Sequence, residues 1–116
     1  MKKFDLQERL VKFSASIILN IGMLKKNFAT EHLTKQLIRS ATSAALNYGE
    51  AQGAESRRDF IHKMKICLKE LRESQVNLQI LKEADLIDNK TKFGAITNEC
   101  KELVAIFASS IKTTNK

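Results

Sequence analysis

Proline is missing from this chain altogether, and glycine occurs only 4 times. Sandwiches and barrels need many turns built on those two residues, so an all-β fold is a poor reading. Tryptophan is absent too, and one Tyr and 6 Phe bring aromatics to just 6%. Nucleic-acid binders of the RRM or OB type stack bases on exposed rings, and this chain has few rings to offer. The two cysteines, Cys67 and Cys100, lack CxxC spacing, which argues against a zinc site. They are expected to be reduced, buried thiols. The longest uncharged run, Phe13–Leu24, is interrupted by Ser14, Ser16 and Asn20. A membrane span needs about 20 apolar residues, so no membrane partner is expected. Met1–Phe4 is basic, but the segment after it carries Arg9 and Lys12 and has no small-residue cleavage site. The chain therefore reads as cytoplasmic, without a secretory leader.

What is present fits a single helical domain. The 116 residues are 43% hydrophobic, enough for a packed core. The formal charge is +7 and the pI about 9.6, a balance that attracts polyanions without specifying one.

Four apolar stripes with helical spacing follow one another. Leu6, Leu10, Phe13, Ile17, Ile21 and Leu24 mark a first helix over 5–26, with Asp5 at its start and Lys25-Lys26 at the negative end of its dipole. Leu33, Leu37, Ala41, Ala44, Ala45 and Tyr48 mark a second over 30–51, capped by Thr30, with Gly49 and Gly53 bracketing a fraying end. Phe60, Met64, Cys67, Leu68, Leu71, Leu78 and Leu81 mark a third over 56–84, with Ser56 and Asp59 as a weak capping box. A second set on it, Ile61, Ile66, Val76 and Ile80, exceeds what a lone bundle needs and points to a partner subunit. Phe93, Ile96, Cys100, Leu103, Phe107 and Ile111 mark a fourth over 90–112, followed by a polar tail, Lys112–Lys116, expected to fray. Long helices with short connections predict an all-α fold, an antiparallel up-down-up-down four-helix bundle in one domain over 1–116.

Catalytic chemistry finds little material. His32 and His62 are the only histidines, and neither shares an obvious face with Ser40, Ser43, Cys67 or Cys100. Asp59 and His62 are three apart on one helix face, but a carboxylate-bridged metal pair needs two such motifs and further interior carboxylates. No phosphate-cradling glycine loop occurs. The expectation is a chain that is not an enzyme, with no metal and no cofactor.

Charge is the remaining signal. Arg57, Arg58, Lys63, Lys65, Lys69 and Arg72 face only Asp59 and Glu70 over the same stretch, the first half of the third helix. Arg58, Lys65, Lys69 and Arg72 share one broad side, and Lys35 and Arg39 add charge on the helix before it. These seven, Arg57, Arg58, Lys65, Lys69, Arg72, Lys35 and Arg39, are the candidate phosphate contacts. The ordinary alternative is a solvated face with intrahelical pairs such as Lys69 with Glu73.

The stretch Gln36 to Ala51 resembles the core motif of the four-helix bundle proteins encoded in intervening sequences of bacterial large-subunit ribosomal RNA genes. That motif runs roughly Gln-Leu-x-Arg-Ala-x-x-Ser-Ile-x-x-Asn-Ile-x-Glu-Gly, and Gln36, Arg39, Ser43, Asn47 and Glu50 match it in register. Ser56 to Met64 and Leu68 to Ser74 continue the likeness. Ala45 stands where the family often has Pro, and Ala51 where it has Gly. The resemblance implies a homopentameric ring. It also implies similarity to the accessory protein of diversity-generating retroelements, which binds nucleic acid and a reverse transcriptase. RNA or DNA, and another protein such as a reverse transcriptase, are thus the expected partners besides a second copy. The row Gln36, Arg39, Ser43, Asn47 and Glu50, beside an alanine-rich stripe, is expected to serve assembly by fixing register between subunits, with direct ligand contact as the alternative. The alternative function is an oligomeric protein-interaction scaffold that binds no nucleic acid.

Overall fold

The computed structural model describes residues 5–114; Met1–Phe4 and the last two residues, to which the leader and tail expectations extend, lie outside it. Four α-helices follow in order: α1 (Leu6–Leu19), α2 (Phe28–Gln52), α3 (Arg57–Glu83) and α4 (Lys90–Thr114). α1 packs on α2 and α4, and α3 packs on the same two. α1 and α3 therefore stand on one diagonal, α2 and α4 on the other, in an all-α four-helix bundle of 45 × 31 × 20 Å. Most of the core comes from the stripes read from the sequence, but Leu6, Leu33, Ala45, Tyr48, Phe60 and Leu68 are only partly buried against it, and Ala51, Leu86 and Ile87 join it from outside the stripes. Leu10, Phe13 and Ile17 meet Leu37, Ala41 and Ala44, and Cys67, Leu71, Leu78 and Leu81 meet Phe93, Cys100, Leu103 and Phe107. Alanines at 41 and 44 let α2 approach its neighbours closely, and Tyr48 reaches the α4 diagonal to meet Phe107 edge-on at 5.6 Å. Gln7 Nε2 donates to the Ala45 carbonyl across α1 and α2, beside Gly49, where a Cβ would stand 3.2 Å from the Gln7 side-chain oxygen. Arg9 Nε donates to Glu99 across α1 and α4 at 2.9 Å.

Four helix ends differ from the expectation. α1 stops at Leu19, not at residue 26; a short 3-10 turn, Ile21–Met23, follows. Leu24 then leaves the helical path to bridge Ile87 in an antiparallel pair, with Lys25 N–H donating to Leu86 O and Asp88 N–H to Met23 O. These bonds tie the two connections at one end of the bundle, and Lys25 pairs with Asp85 instead of closing α1. α2 begins two residues earlier than read, because Asn27, not Thr30, is the cap: its side chain accepts from Thr30 N–H at 2.8 Å. Gly49 lies inside α2, which ends at Gln52 with Gly53 as its cap. α4 continues as regular helix to Thr114, past the expected fraying point. The end of α3 is closed by a left-handed residue, Asp85 (φ 57), with Leu86 N–H returning to Leu81 O and Asp85 N–H to Lys82 O. That is the bonding of a Schellman cap, with Asp in place of the usual glycine.

Candidate nucleic-acid interface

Viewed outward from the core, α3 has two chemically distinct sides. The side against α2 is a polar seam. Arg39 Nη1 and Nη2 donate to both oxygens of Glu70, at 3.0 and 3.2 Å, and Nη2 also donates to Glu73 at 3.0 Å. Ser40 and Ser74, both buried, share a hydroxyl hydrogen bond of 2.6 Å. Asn77 Nδ2 donates to Leu33 O at 3.0 Å, and Lys63 pairs with Glu50 at 2.7 Å. Burial pushes the Glu70 carboxyl up, but the hydrogen bonds from Arg39, with smaller contributions from Glu73 and Ser43, outweigh it and hold the group at about 2. Arg39, Ser43 and Glu50 of the assembly row thus face α3 of their own chain. Asn47 folds back on Ser43, donating to its carbonyl at 2.9 Å and its hydroxyl at 3.1 Å, and Gln36 stays exposed.

The outer side of α3 carries Arg58, Lys65, Lys69 and Arg72 in the helical spacing of one stripe, all exposed. None of the four forms an ion pair among the described residues, whereas Arg39 takes both of its carboxylates and Lys35 pairs with Glu31 at 3.6 Å. The expected Lys69 pair with Glu73 does not form, because Glu73 turns to Arg39. From Arg58 to Arg72 the stripe is about 21 Å long at 1.5 Å per residue. A cleft of about 690 Å³ runs beside it, bounded by Leu33, Gln36, Arg39 and Ser40 of α2 and by Lys65, Leu68, Lys69, Arg72, Val76 and Ile80 of α3. A second depression, of about 580 Å³, gathers Arg57, Arg58, Ile61, His62 and Lys65. Lys65 borders both, so the basic tract is continuous. The other three of the seven sequence candidates lie off the stripe: Arg39 is paired with Glu70 and Glu73, and Arg57 and Lys35 have other neighbours. Arg57 turns its guanidinium to the Thr114 carbonyl at the end of α4, and Lys35 lines another recess, at the α1–α2 connection.

Sequence reading missed the partners Glu70, Glu73, Ser74 and Asn77. A signal existed: Glu70, Ser74 and Asn77 recur at spacings of four and three beside an apolar stripe, which marks a buried polar row. The thiols offer no nucleophile. Cys67 donates to Ala44 O at 3.5 Å and Cys100 to Leu71 O at 3.4 Å, and burial pushes each up to about 12. Among the described residues, no group of three or more His, Cys, Asp or Glu is placed to hold a metal ion, and no helix is long and apolar enough to cross a membrane.

Bundle geometry and surface charge together define a basic four-helix bundle. The chain belongs to the 23S rRNA-intervening sequence protein family, whose model matches residues 2–109. It is similar to a protein of unknown function from the S23 ribosomal protein family of Bacteroides thetaiotaomicron, solved by crystallography at 1.70 Å, at 32% identity and a TM-score of 0.82, covering 93% of this chain and 99% of that one. No curated protein matches the sequence.

Proposed function

We propose that this chain is a non-catalytic, homo-oligomeric bundle that holds nucleic acid, RNA or DNA, on the outer face of α3. The observation that carries the reading is the row Arg58, Lys65, Lys69 and Arg72, four exposed cations with no carboxylate of the described chain to answer them. Uncompensated cations along a straight 21 Å edge, a length of about fourteen residues at 1.5 Å each, suit phosphates more than base edges. With no ring on that stripe, the contact is backbone-directed and weakly sequence-specific. Repetition of the row around an oligomer, a pentamer on the resemblance, multiplies the phosphate contacts. The setting is cytoplasmic. Fluorescence anisotropy of a labelled structured RNA at two salt concentrations, with light scattering on the same sample, tests this. The expected result is binding by an oligomer with a double-logarithmic salt slope near −0.9 per phosphate contacted. A well-formed oligomer that binds no RNA at low salt overturns it.

The second reading, a scaffold that binds another protein such as a reverse transcriptase, is favoured by one feature: the cleft beside α3, whose apolar residues Leu33, Leu68, Val76 and Ile80 have no use in phosphate binding.

A further inference from the structure

Four buried side-chain polar atoms have no hydrogen-bond partner among the described residues: Ser14 Oγ, Thr30 Oγ1, Thr34 Oγ1 and Asn77 Oδ1. Two of them gather in one place. Thr30 and Thr34, 6% and 7% exposed, stand one turn apart on α2, and both line the recess of about 500 Å³ at the α1–α2 connection. A threonine inside a helix commonly sends its hydroxyl back to the carbonyl four residues earlier. Thr42 does so to Ile38 O at 2.7 Å, and Thr114 to Ser110 O at 2.8 Å. Thr30 and Thr34 do not. A buried hydroxyl without a partner is costly, and two on the wall of one recess point to a group that enters it and accepts from both.

The charge around the recess sets the sign of that group. Lys25 and Lys26 come from the connection and Lys35 from α2, against the single carboxylate of Glu31. Lys35 answers Glu31 at 3.6 Å and Asp85 answers Lys25 at 3.4 Å, whereas Lys26 forms no ion pair among the described residues. Both pairs are exposed, where an ion pair is weak and yields to a better anion. The recess also lies along the first turns of a 25-residue helix, at the positive end of its dipole. Asn27 already takes the Thr30 N–H, so the dipole acts through its field and the side chains supply the direct bonds. Two hydroxyl donors and three ammoniums exceed what the two oxygens of a carboxylate can use, and they match the oxygens of a phosphate. A volume of about 500 Å³ exceeds a bare phosphate, and Ile21 and Leu24 offer apolar walls for an organic body.

We infer that the recess at the α1–α2 connection binds a phosphate monoester. The phosphate oxygens accept from the Thr30 and Thr34 hydroxyls and from Lys26, Lys25 and Lys35 turn to it from their exposed pairs, and the organic part rests on Ile21 and Leu24. None of the lining residues belongs to the α3 stripe, so the site stands or falls independently of the nucleic-acid reading. The monoester is a free phosphorylated small molecule or the terminal phosphate of a nucleic acid; the chemistry at the recess is the same for both.

Isothermal titration calorimetry in chloride buffer at fixed ionic strength tests the site with two probes: adenosine monophosphate, and a short RNA carrying either a 5′-phosphate or a 5′-hydroxyl. Saturable binding by adenosine monophosphate identifies a free ligand. Binding confined to RNA, and tighter with the 5′-phosphate than with the 5′-hydroxyl, identifies a chain end. In either case the double variant Thr30→Val with Thr34→Val, which keeps the side-chain shape and removes both hydroxyls, should weaken the phosphate-dependent binding about tenfold or more. Lys69→Ala, on the α3 stripe, should leave that phosphate-dependent binding unchanged. If neither probe shows phosphate-dependent binding, if the double variant binds as the parent does, or if Lys69→Ala weakens it as much, the assignment is overturned. Thermal unfolding in phosphate-free buffer is the second readout. The double variant should unfold no earlier than the parent, because it removes two unanswered buried hydroxyls and Val and Thr have similar helix propensity. Earlier unfolding would assign the hydroxyls to the fold itself and overturn the site.

Discussion

On its α2-facing side, α3 presents Lys63, Glu70, Glu73, Ser74 and Asn77; on its outer side it presents Arg58, Lys65, Lys69 and Arg72. The first group is answered within the chain, by Glu50, Arg39, Ser40 and the Leu33 carbonyl. The second is answered by nothing among the described residues. Charge that is matched and partly buried holds two helices in register; unmatched charge in solvent adds little to stability and is available to a partner. Arg39 and Arg72 carry the same group, yet the fold answers the first with Glu70 and Glu73 and leaves the second to solvent.

The comparison is broken or sharpened by substitution. The largest effect is expected from reversing the outer stripe, Arg58, Lys65, Lys69 and Arg72 to Glu together. RNA binding in the anisotropy assay should be lost at physiological salt, and single Ala variants should each flatten the salt slope by roughly one unit. Full binding by the fourfold variant would dissolve the distinction. Next, Arg39→Ala leaves the Glu70 carboxylate buried without its bidentate partner. Urea denaturation should show a loss of about 2 to 3 kcal/mol, whereas Lys69→Ala should stay within about 0.5 kcal/mol of the parent. Equal losses would mean that the two sides of α3 are not different in kind. Ser74→Ala removes the partner of a buried hydroxyl and should cost about 1 to 2 kcal/mol by the same measurement.

The seam also has a pH signature. The Glu70 carboxyl is held at about 2, below its ordinary 4.5, so the folded state binds its proton less readily than the unfolded chain does. Its contribution is complete above the unfolded value and is lost as pH falls from there through the folded value. Denaturation midpoints measured between neutral pH and pH 2 should fall in that acid window, and Glu70→Gln should flatten the fall. The smallest effect belongs to Lys35→Ala. An exposed pair with Glu31 is worth about 0.3 to 0.5 kcal/mol, and Lys35 lies off the α3 stripe, so RNA affinity should barely move.

The sequence determined much of this protein by periodicity alone. Four apolar stripes at helical spacing name four helices, and Leu10, Phe13, Leu37, Leu71, Leu103 and Phe107 all fall in the core where those stripes put them. The motif from Gln36 to Glu50 carries the resemblance to the family whose model matches residues 2–109. Helix spacing is a local property, so a single chain reveals it without reference to any other segment. Local pattern could not reveal the end of α1, where Leu24 looks like one more member of an apolar stripe. Leu24 leaves the helix to pair with Ile87, and a partner sixty-three residues away leaves no mark on local pattern. The fate of the charges was decided in the same way. Arg39, Arg57 and Lys69 read alike along the chain, yet one meets Glu70 and Glu73, one meets the Thr114 carbonyl, and one meets solvent. A side chain's charge is fixed by its residue type; whether that charge is spent inside the molecule depends on what the fold brings within a few ångströms, and only the packing of the helices settles that.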